Sequence, residues 1–525
     1  MTLEDDSGAC WKGDRAQLGD PFSAEHTGRG NRLPLQERIA QGLWPHAAVQ
    51  PALSLPPERA GSVEAVDARK QAVRGHIEIS GPVTAQALAA RLRQPESAVA
   101  AALEALEAEG VVLRGRFLPD LDALQWCDRR LLARIHRLTL AGARRRVQPV
   151  SPAVFWQFLC SYHQLEAEAP SGRAALKQAL ERLQGFEAAA GAWERDLLPA
   201  RVADYQAEWL DELCLNGFAG WARLSPPRRA EDDPPPARLN RTAPLALYKR
   251  QDLNWLLPPG RRSDPPTLRP HAQAVLEALA AHGALFPADL PAATDLLPAY
   301  VEEALAELAA VGLAAADAFS AIRQMVGLDM QRTRRGRQRP LAHGGRWSRF
   351  PPPLRWPDAS LRCERWAWLL LARYGVVCRD LLVRESLAPP WYELRQVYRR
   401  LEAQGRVHGG RFVAQLAGEQ YAALDVVDRL RQLRDAPATG RYTVISAADP
   451  LNLAGILTPG PRVPAKPRST LLLCDGELAA VHEAGQTRLL RPIEPSRAEE
   501  LFRLLRVTAA VRRRWHNTAC TPGRS

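Results

Sequence analysis

From Tyr374 to Val413 the chain reads YGVVCRDLLVRESLAPPWYELRQVYRRLEAQGRVHGGRFV, a pattern that returns twice elsewhere. Leu394, Val397, Tyr398 and Leu401 recur at the three-and-four spacing of one helix face, while Arg399, Arg400 and Gln404 fall off it. Gly405 stands where a helix end needs positive φ, and His408, Gly409 and Gly410 permit a tight hairpin before Arg411 and Phe412. Gly375 and Gly405 are 30 residues apart, and the pairs Gly81 and Gly110, and Gly283 and Gly312, are each separated by 29. The three copies align at LEALEAEG, LAELAAVG and YRRLEAQG, and the outer two share the wing sequence GRF, Gly115–Phe117 and Gly410–Phe412. Strand, two helices and a glycine-marked hairpin are the grammar of a winged helix. Because the copies lie far apart, they predict separate modules rather than a solenoid.

At 525 residues and 46% hydrophobic content, the chain is long enough for several globular domains. The expected class is α+β: tandem winged helices followed by a small antiparallel β-barrel or sheet. The net charge of +12 rests on 70 basic residues, only five of them lysine. Spread over winged helices, that excess favours an anionic partner, most simply nucleic acid, although the arginine preference also follows genomic base composition. The eight cysteines form no Cys-x-x-Cys pair, which argues against a zinc knuckle or disulfide scaffold and fits a reducing cytoplasm. The N-terminus lacks an apolar signal core, and no apolar run approaches membrane-spanning length.

Taken in order, residues 1–60 predict a poorly ordered segment and 61–120 a winged helix. Residues 121–256 predict a helical region with a divergent winged helix, and 268–326 and 345–435 two further winged helices. A β-barrel-like domain is expected over 436–500 and a basic tail over 505–525. The helix after Trp126 sets Trp126, Arg130, Ala133, Arg134 and Arg137 on one side and Leu131, Leu132 and Ile135 on the other, either a solvated face or a phosphate-contacting stripe. QRTRRGRQRP at 331–340 is a linker or a basic arm.

No lysine follows glycine, so the chain has no Walker A loop and should not hydrolyse ATP by itself. Asp211-Glu212-Leu213-Cys214 only mimics a helicase magnesium box, and zinc-protease and serine-hydrolase motifs are absent. One constellation remains, Asp449-Pro450-Leu451-Asn452. Asp before Pro predicts an N-cap or Asx-turn; the functional alternative has Asp449 activating water and Asn452 reading a base edge.

The blocks EALEAEGVVLRGRF, DRRLLARIHR, ERLQGFEAAAGAWERDLLPARVADY, YGVVCRDLL, VYRRLEAQGRVHGGRFVA and SAADPLNLAGILTPG resemble the C-terminal region of Lhr, the bacterial large helicase-related proteins, over roughly residues 60 to 495. The resemblance implies DNA repair, with ATP and magnesium held by a separate RecA-like core that this chain lacks, as a split subunit, truncated product or frameshift fragment would. It also implies uracil excision by the C-terminal region in some Lhr members, and a C-terminal arrangement like that of winged-helix glycosylases of the alkyl-adduct class, whose glutamine-x-glutamine element is not identifiable here. The expected partners are DNA, single-stranded or forked, and an Lhr core. Arg114, Arg116, Arg130, Arg134, Arg399, Arg406 and Arg411 are the expected phosphate contacts. The alternatives are uracil excision by Asp449 and Asn452, or a structural module that forms homo-oligomers.

Overall fold

The computed structural model describes residues 39–40, 42–43, 63–118, 121–146, 148–165, 169–225, 239–257, 268–327, 345–350, 358–466, 468–493 and 495–512. The N-terminal segment before 39, the arginine-rich stretch at 331–340 and the end of the basic tail lie outside them. The chain divides into two compact units, Met1–Ala141 and Gly142–Ser525.

The first unit is a winged helix of α1 (Ala65–Ser80), α2 (Ala85–Leu92), α3 (Glu96–Ala108), β1 (Val112–Gly115) and β2 (Gln125–Asp128). Thr84 caps α2 by accepting from the Ala87 amide at 3.1 Å. Val73, Ile77, Leu88, Leu103 and Leu106 are buried with Trp126. Trp126 therefore belongs to the wing, and α4 (Arg129–Arg146) begins after it rather than including it. The strand pairs with β1 and bridges to Val83, which fixes the indole in the core.

In the second unit, α5 (Pro152–Tyr162), α6 (Gly172–Leu183), β3 (Glu187–Ala189), α7 (Ala207–Leu215), β4 (Ala219–Ala222) and β5 (Pro244–Lys249) form a module with sheet order β3-β5-β4. The next comprises α8 (Pro270–His282), α9 (Leu290–Thr294), α10 (Pro298–Ala310), β6 (Ala314–Ala316), α11 (Ser320–Met325) and β7 (Trp347–Arg349). Its second wing strand, β7, thus lies well past residue 326. The last is α12 (Ala359–Tyr374), β8 (Val376–Val377), α13 (Trp391–Ala403), β9 (Val407–Gly410), β10 (Gln420–Ala423) and α14 (Leu424–Asp435), with sheet order β8-β10-β9.

The shared GRF wing goes deeper than its three letters. In the first module the side-chain oxygen of buried Gln125 accepts from the Phe117 and Leu118 amides at 3.0 and 2.9 Å. In the last, Gln420 does the same for Phe412 and Val413, both at 2.8 Å. Each glutamine satisfies backbone groups that the wing loop would otherwise bury unpaired.

The C-terminal β-domain is not a barrel. β11 (Tyr442–Ser446), β12 (Thr470–Cys474), β13 (Glu477–Glu483) and β14 (Gln486–Leu489) form an open antiparallel sheet in sequential order, with no pairing between β14 and β11. Leu471, Leu473 and Val481 face the main core. Leu472 and Ala480 face α15 (Pro495–Arg506) through Leu501, Leu504 and Leu505. Covering both faces removes the need for closure, and it explains why β12 is continuously apolar rather than alternating. The segment after 505, expected as tail, packs here: Leu505, Ala509 and Arg512 are buried. At the β12–β13 turn Gly476 has φ +80°, and a Cβ there would lie 1.9 Å from the Ala153 carbonyl oxygen, so the turn seats directly on α5.

Candidate nucleic-acid interface

In each of three modules one helix occupies the place that enters a DNA groove. Two of these are electrostatically wrong for it. α3 carries Glu96, Glu104 and Glu107, α10 carries Glu302, Glu303 and Glu307, and neither has a basic residue. α13 differs. Leu394, Val397, Tyr398 and Leu401 bury one face, which leaves Arg399 and Arg400 exposed and Arg395 half-buried on the other.

Around α13 the structure groups five arginines with three glutamates. Arg399 reaches Glu419 at 2.7 Å, with Arg395 and Arg144 each at 3.9 Å. Burial pushes the Glu419 carboxyl up, but the Arg399 bond and the charges of Arg399, Arg144 and Arg395 outweigh it and hold the group below its usual range. Arg400 and Arg406 share Glu364 at 2.8 and 3.7 Å, and Arg406 also lies over the Trp368 ring. Arg144 binds the buried Glu402 through two parallel bonds. That approach needs Gly409, where a Cβ would stand 2.2 Å from the Glu402 carboxylate. Arg411 is exposed on the wing. Of the expected contacts, the structure brings Arg399, Arg406 and Arg411 into this module. Arg144, Arg395 and Arg400 were missed; for Arg395 and Arg400 the signal was their place off the apolar face.

In the other unit Arg114 lies 3.2 Å from Glu107 and over the Trp126 ring, and Arg116 lies 3.3 Å from Asp122. Arg130 and Arg134 are exposed on α4, opposite the half-buried Leu131, Leu132 and Ile135.

Asp449 and Asn452 take no part in this surface. Asp449 makes the Asx-turn that its place before Pro450 predicts, accepting from the Leu451 amide at 3.0 Å. It is 2% exposed, and its two oxygens accept from Arg201 at 2.7 and 2.9 Å. Burial pushes its carboxyl up, but Arg201 more than reverses this and holds it below the usual range. Asn452 spends its amide hydrogens on the Ala447 and Val463 carbonyls, at 2.9 and 2.8 Å. A carboxylate that activates water needs an oxygen facing substrate, and an amide that reads a base edge needs free hydrogens. Here both groups hold the 447–463 loop.

Behind the pair runs a buried chain. Arg201 Nε donates to His163 Nδ1 at 3.2 Å, and His163 Nε2 lies 2.6 Å from the Arg373 carbonyl oxygen. A carbonyl only accepts, so Nε2 carries the proton and Nδ1 is the acceptor. Burial, then the Arg201 charge, push the imidazole pKa down to about 3, and the ring stays neutral. Arg373 goes on to Glu385, which also accepts from Tyr374 at 2.7 Å.

A second cluster joins α7, α11 and the 193–197 turn. Arg323 Nε lies 2.9 Å from Glu194, Arg323 also pairs with Asp211, and Tyr205 donates to Glu194 at 2.7 Å. Asp211, whose surroundings in sequence mimic a magnesium box, is thus a structural anion, and among the described residues no metal-binding group of side chains exists. Burial drives the Glu194 pKa from 4.5 to about 7, against the pull of Arg323. With the folded value above the unfolded one, its contribution is complete below about pH 4.5 and is lost as pH rises through 7. His163 has the opposite sign: its contribution is present above pH 6.5 and lost on acidification toward 3. Urea midpoints should therefore show Glu194→Gln gaining on the parent between pH 5 and 8, by on the order of 2 kcal/mol. A difference independent of pH would contradict the assignment.

The structure also holds a cleft of about 700 Å³ between the 189–196 turn and the C-terminal sheet and helix. Arg195, Arg241, Arg468, Arg506 and Arg512 line it, with Asp196 as its carboxylate. Asp196 is 3% exposed and accepts from Arg195 at 2.6 Å and from Ser446 at 3.2 Å.

Two family models, both described as "Large helicase-related protein, winged-helix domain", match residues 150–238 and 357–442. The chain carries Lhr winged-helix domains. The first match covers the divergent module and the second covers α13 and its wing. A Mycolicibacterium smegmatis protein (strain ATCC 700084 / mc(2)155) named "Lhr helicase/ probable uracil glycosylase" is 30% identical over 442 residues, covering 78% of this chain and 28% of that protein. An Escherichia coli K12 protein named "Lhr helicase/uracil glycosylase" is 27% identical over 487 residues, covering 82% and 30%. The match falls in the C-terminal part of both Lhr proteins, and the chain spans under a third of the length of either. Among solved structures, Streptomyces sahachiroi DNA glycosylase AlkZ aligns with TM-score 0.39 and 12% identity over 70% of this chain and 97% of that one. Among the described residues no helix is long and apolar enough to cross a membrane.

Proposed function

We propose that this chain is a DNA-binding module of an Lhr-type repair helicase and that α13 with its wing is the face that meets the strand. The observation that carries this is the contrast between helices: α13 presents Arg395, Arg399 and Arg400, whereas α3 and α10 present glutamates. Phosphate binding needs cations whose present partners are weak, and surface pairs such as Arg399 with Glu419 contribute only about 0–1 kcal/mol. A phosphate oxygen can replace such a carboxylate at little cost. The test is fluorescence anisotropy on labelled single-stranded and forked DNA, comparing Arg399→Glu/Arg400→Glu with Glu302→Gln/Glu303→Gln. Loss of affinity confined to the α13 variant supports the reading; equal binding by all three proteins sinks it.

A second reading is base excision, the activity in the names of the two Lhr relatives. One observation favours it. Asp196 lines a nucleotide-sized cleft, and Asp449 is not among its lining residues. Release of uracil from single-stranded DNA by the parent and not by Asp196→Asn supports it; an inactive parent sets it aside.

A further inference from the structure

The cleft beside Asp196 holds more positive charge than its own residues balance. Arg195 is matched by Asp196, and Arg241 donates to the Val326 and Gly327 carbonyls. Arg468, Arg506 and Arg512 have no carboxylate within ion-pairing distance among the described residues. Arg468 and Arg506 are exposed. Arg512 is 7% exposed, with Nε and Nη2 donating to the Leu504 and Val507 carbonyls at 2.9 and 2.6 Å. Those two bonds cap the end of α15.

Asp196 acts on Arg512 from beyond ion-pairing distance and is already bound by Arg195, so one carboxylate serves five guanidiniums, an arrangement that a further anion would complete. Arg468 adds a second sign of constraint: it holds φ +66°, the left-handed region that a residue with a Cβ seldom occupies, at the cleft's edge. Several guanidiniums converging on one space suit the oxygens of a phosphate better than a single carboxylate. Ala189, Ala192, Leu505, Val507 and Val511 supply an apolar wall beside Thr242, Thr470 and Thr508, and the volume suits a ligand larger than phosphate alone.

We propose that this cleft binds one nucleotide of a DNA strand through its phosphate, with Arg512 as the buried anchor, Arg468 and Arg506 flanking it, and the base against the apolar wall. The choice of a DNA nucleotide rests on the DNA-binding reading above; the anion site itself rests on the three arginines. Deoxyuridine 5′-monophosphate, deoxyuridine and inorganic phosphate are the probes, titrated calorimetrically into the full chain in phosphate-free buffer. The monophosphate should bind at least tenfold tighter than the nucleoside, and inorganic phosphate should compete with it. Arg468→Ala/Arg506→Ala, which leaves the α15 cap intact, should weaken the monophosphate at least tenfold, while Arg399→Glu/Arg400→Glu should not. A monophosphate that binds no better than the nucleoside, or equally to the Arg468/Arg506 variant, overturns the proposal. If labelled DNA still binds through α13 in that case, the interface reading stands without it.

Discussion

Asp449→Asn should destabilise the Gly142–Ser525 unit by roughly 3–5 kcal/mol, the cost of leaving a buried guanidinium without its counter-charge. Arg201 is 2% exposed and gives Asp449 two bonds. Asparagine offers one acceptor and turns an amide N–H toward a cation. The penalty belongs to the orphaned arginine more than to the lost bonds, so Arg201→Met/Asp449→Leu should cost less than Asp449→Asn alone. Urea unfolding followed by tryptophan fluorescence measures both. The result bears on function as well, since any activity lost in Asp449→Asn would be lost with the fold. A variant as stable as the parent would return Asp449 to the candidates for chemistry.

The second large effect concerns DNA. Reversing Arg399 and Arg400 should lower affinity by about a hundredfold at moderate salt, because two attractive phosphate contacts become repulsive. Stability should hardly change, since both side chains are about half exposed and their partners Glu419 and Glu364 are only partly buried. Glu419→Gln should act in the opposite direction, raising affinity by freeing Arg395, Arg399 and Arg144 from a competing carboxylate.

What the residues made legible was local. Glycine intervals that agree to one residue and the apolar face of α13 identified the winged helices, because a helix-turn-helix and its wing are written within some forty residues. The Asx-turn at Asp449 was legible for the same reason. What pairs with Asp449 was not: Arg201 is 248 positions away, and Arg144 is 258 from Glu402. Neither is signalled by spacing, since such pairs exist only once separate modules dock. The barrel failed on a related ambiguity. A continuous apolar strand such as TLLLC fits a closed barrel or a sheet covered on both faces, and only the docking of Leu501, Leu504 and Leu505 decides between them. The arginine cleft draws its lining from segments near 190, 241, 468 and 510, so no motif could have announced it.

If α13 meets phosphates, DNA binding releases counterions from the strand it touches. The logarithm of the DNA association constant should be measured against the logarithm of salt concentration for the parent and for Arg399→Glu/Arg400→Glu. The parent should show a steep negative slope, and the variant one shallower by about 1.4 to 1.8, the change for two lost phosphate contacts. Parallel lines, with the variant merely displaced or unchanged, would mean that the strand binds elsewhere.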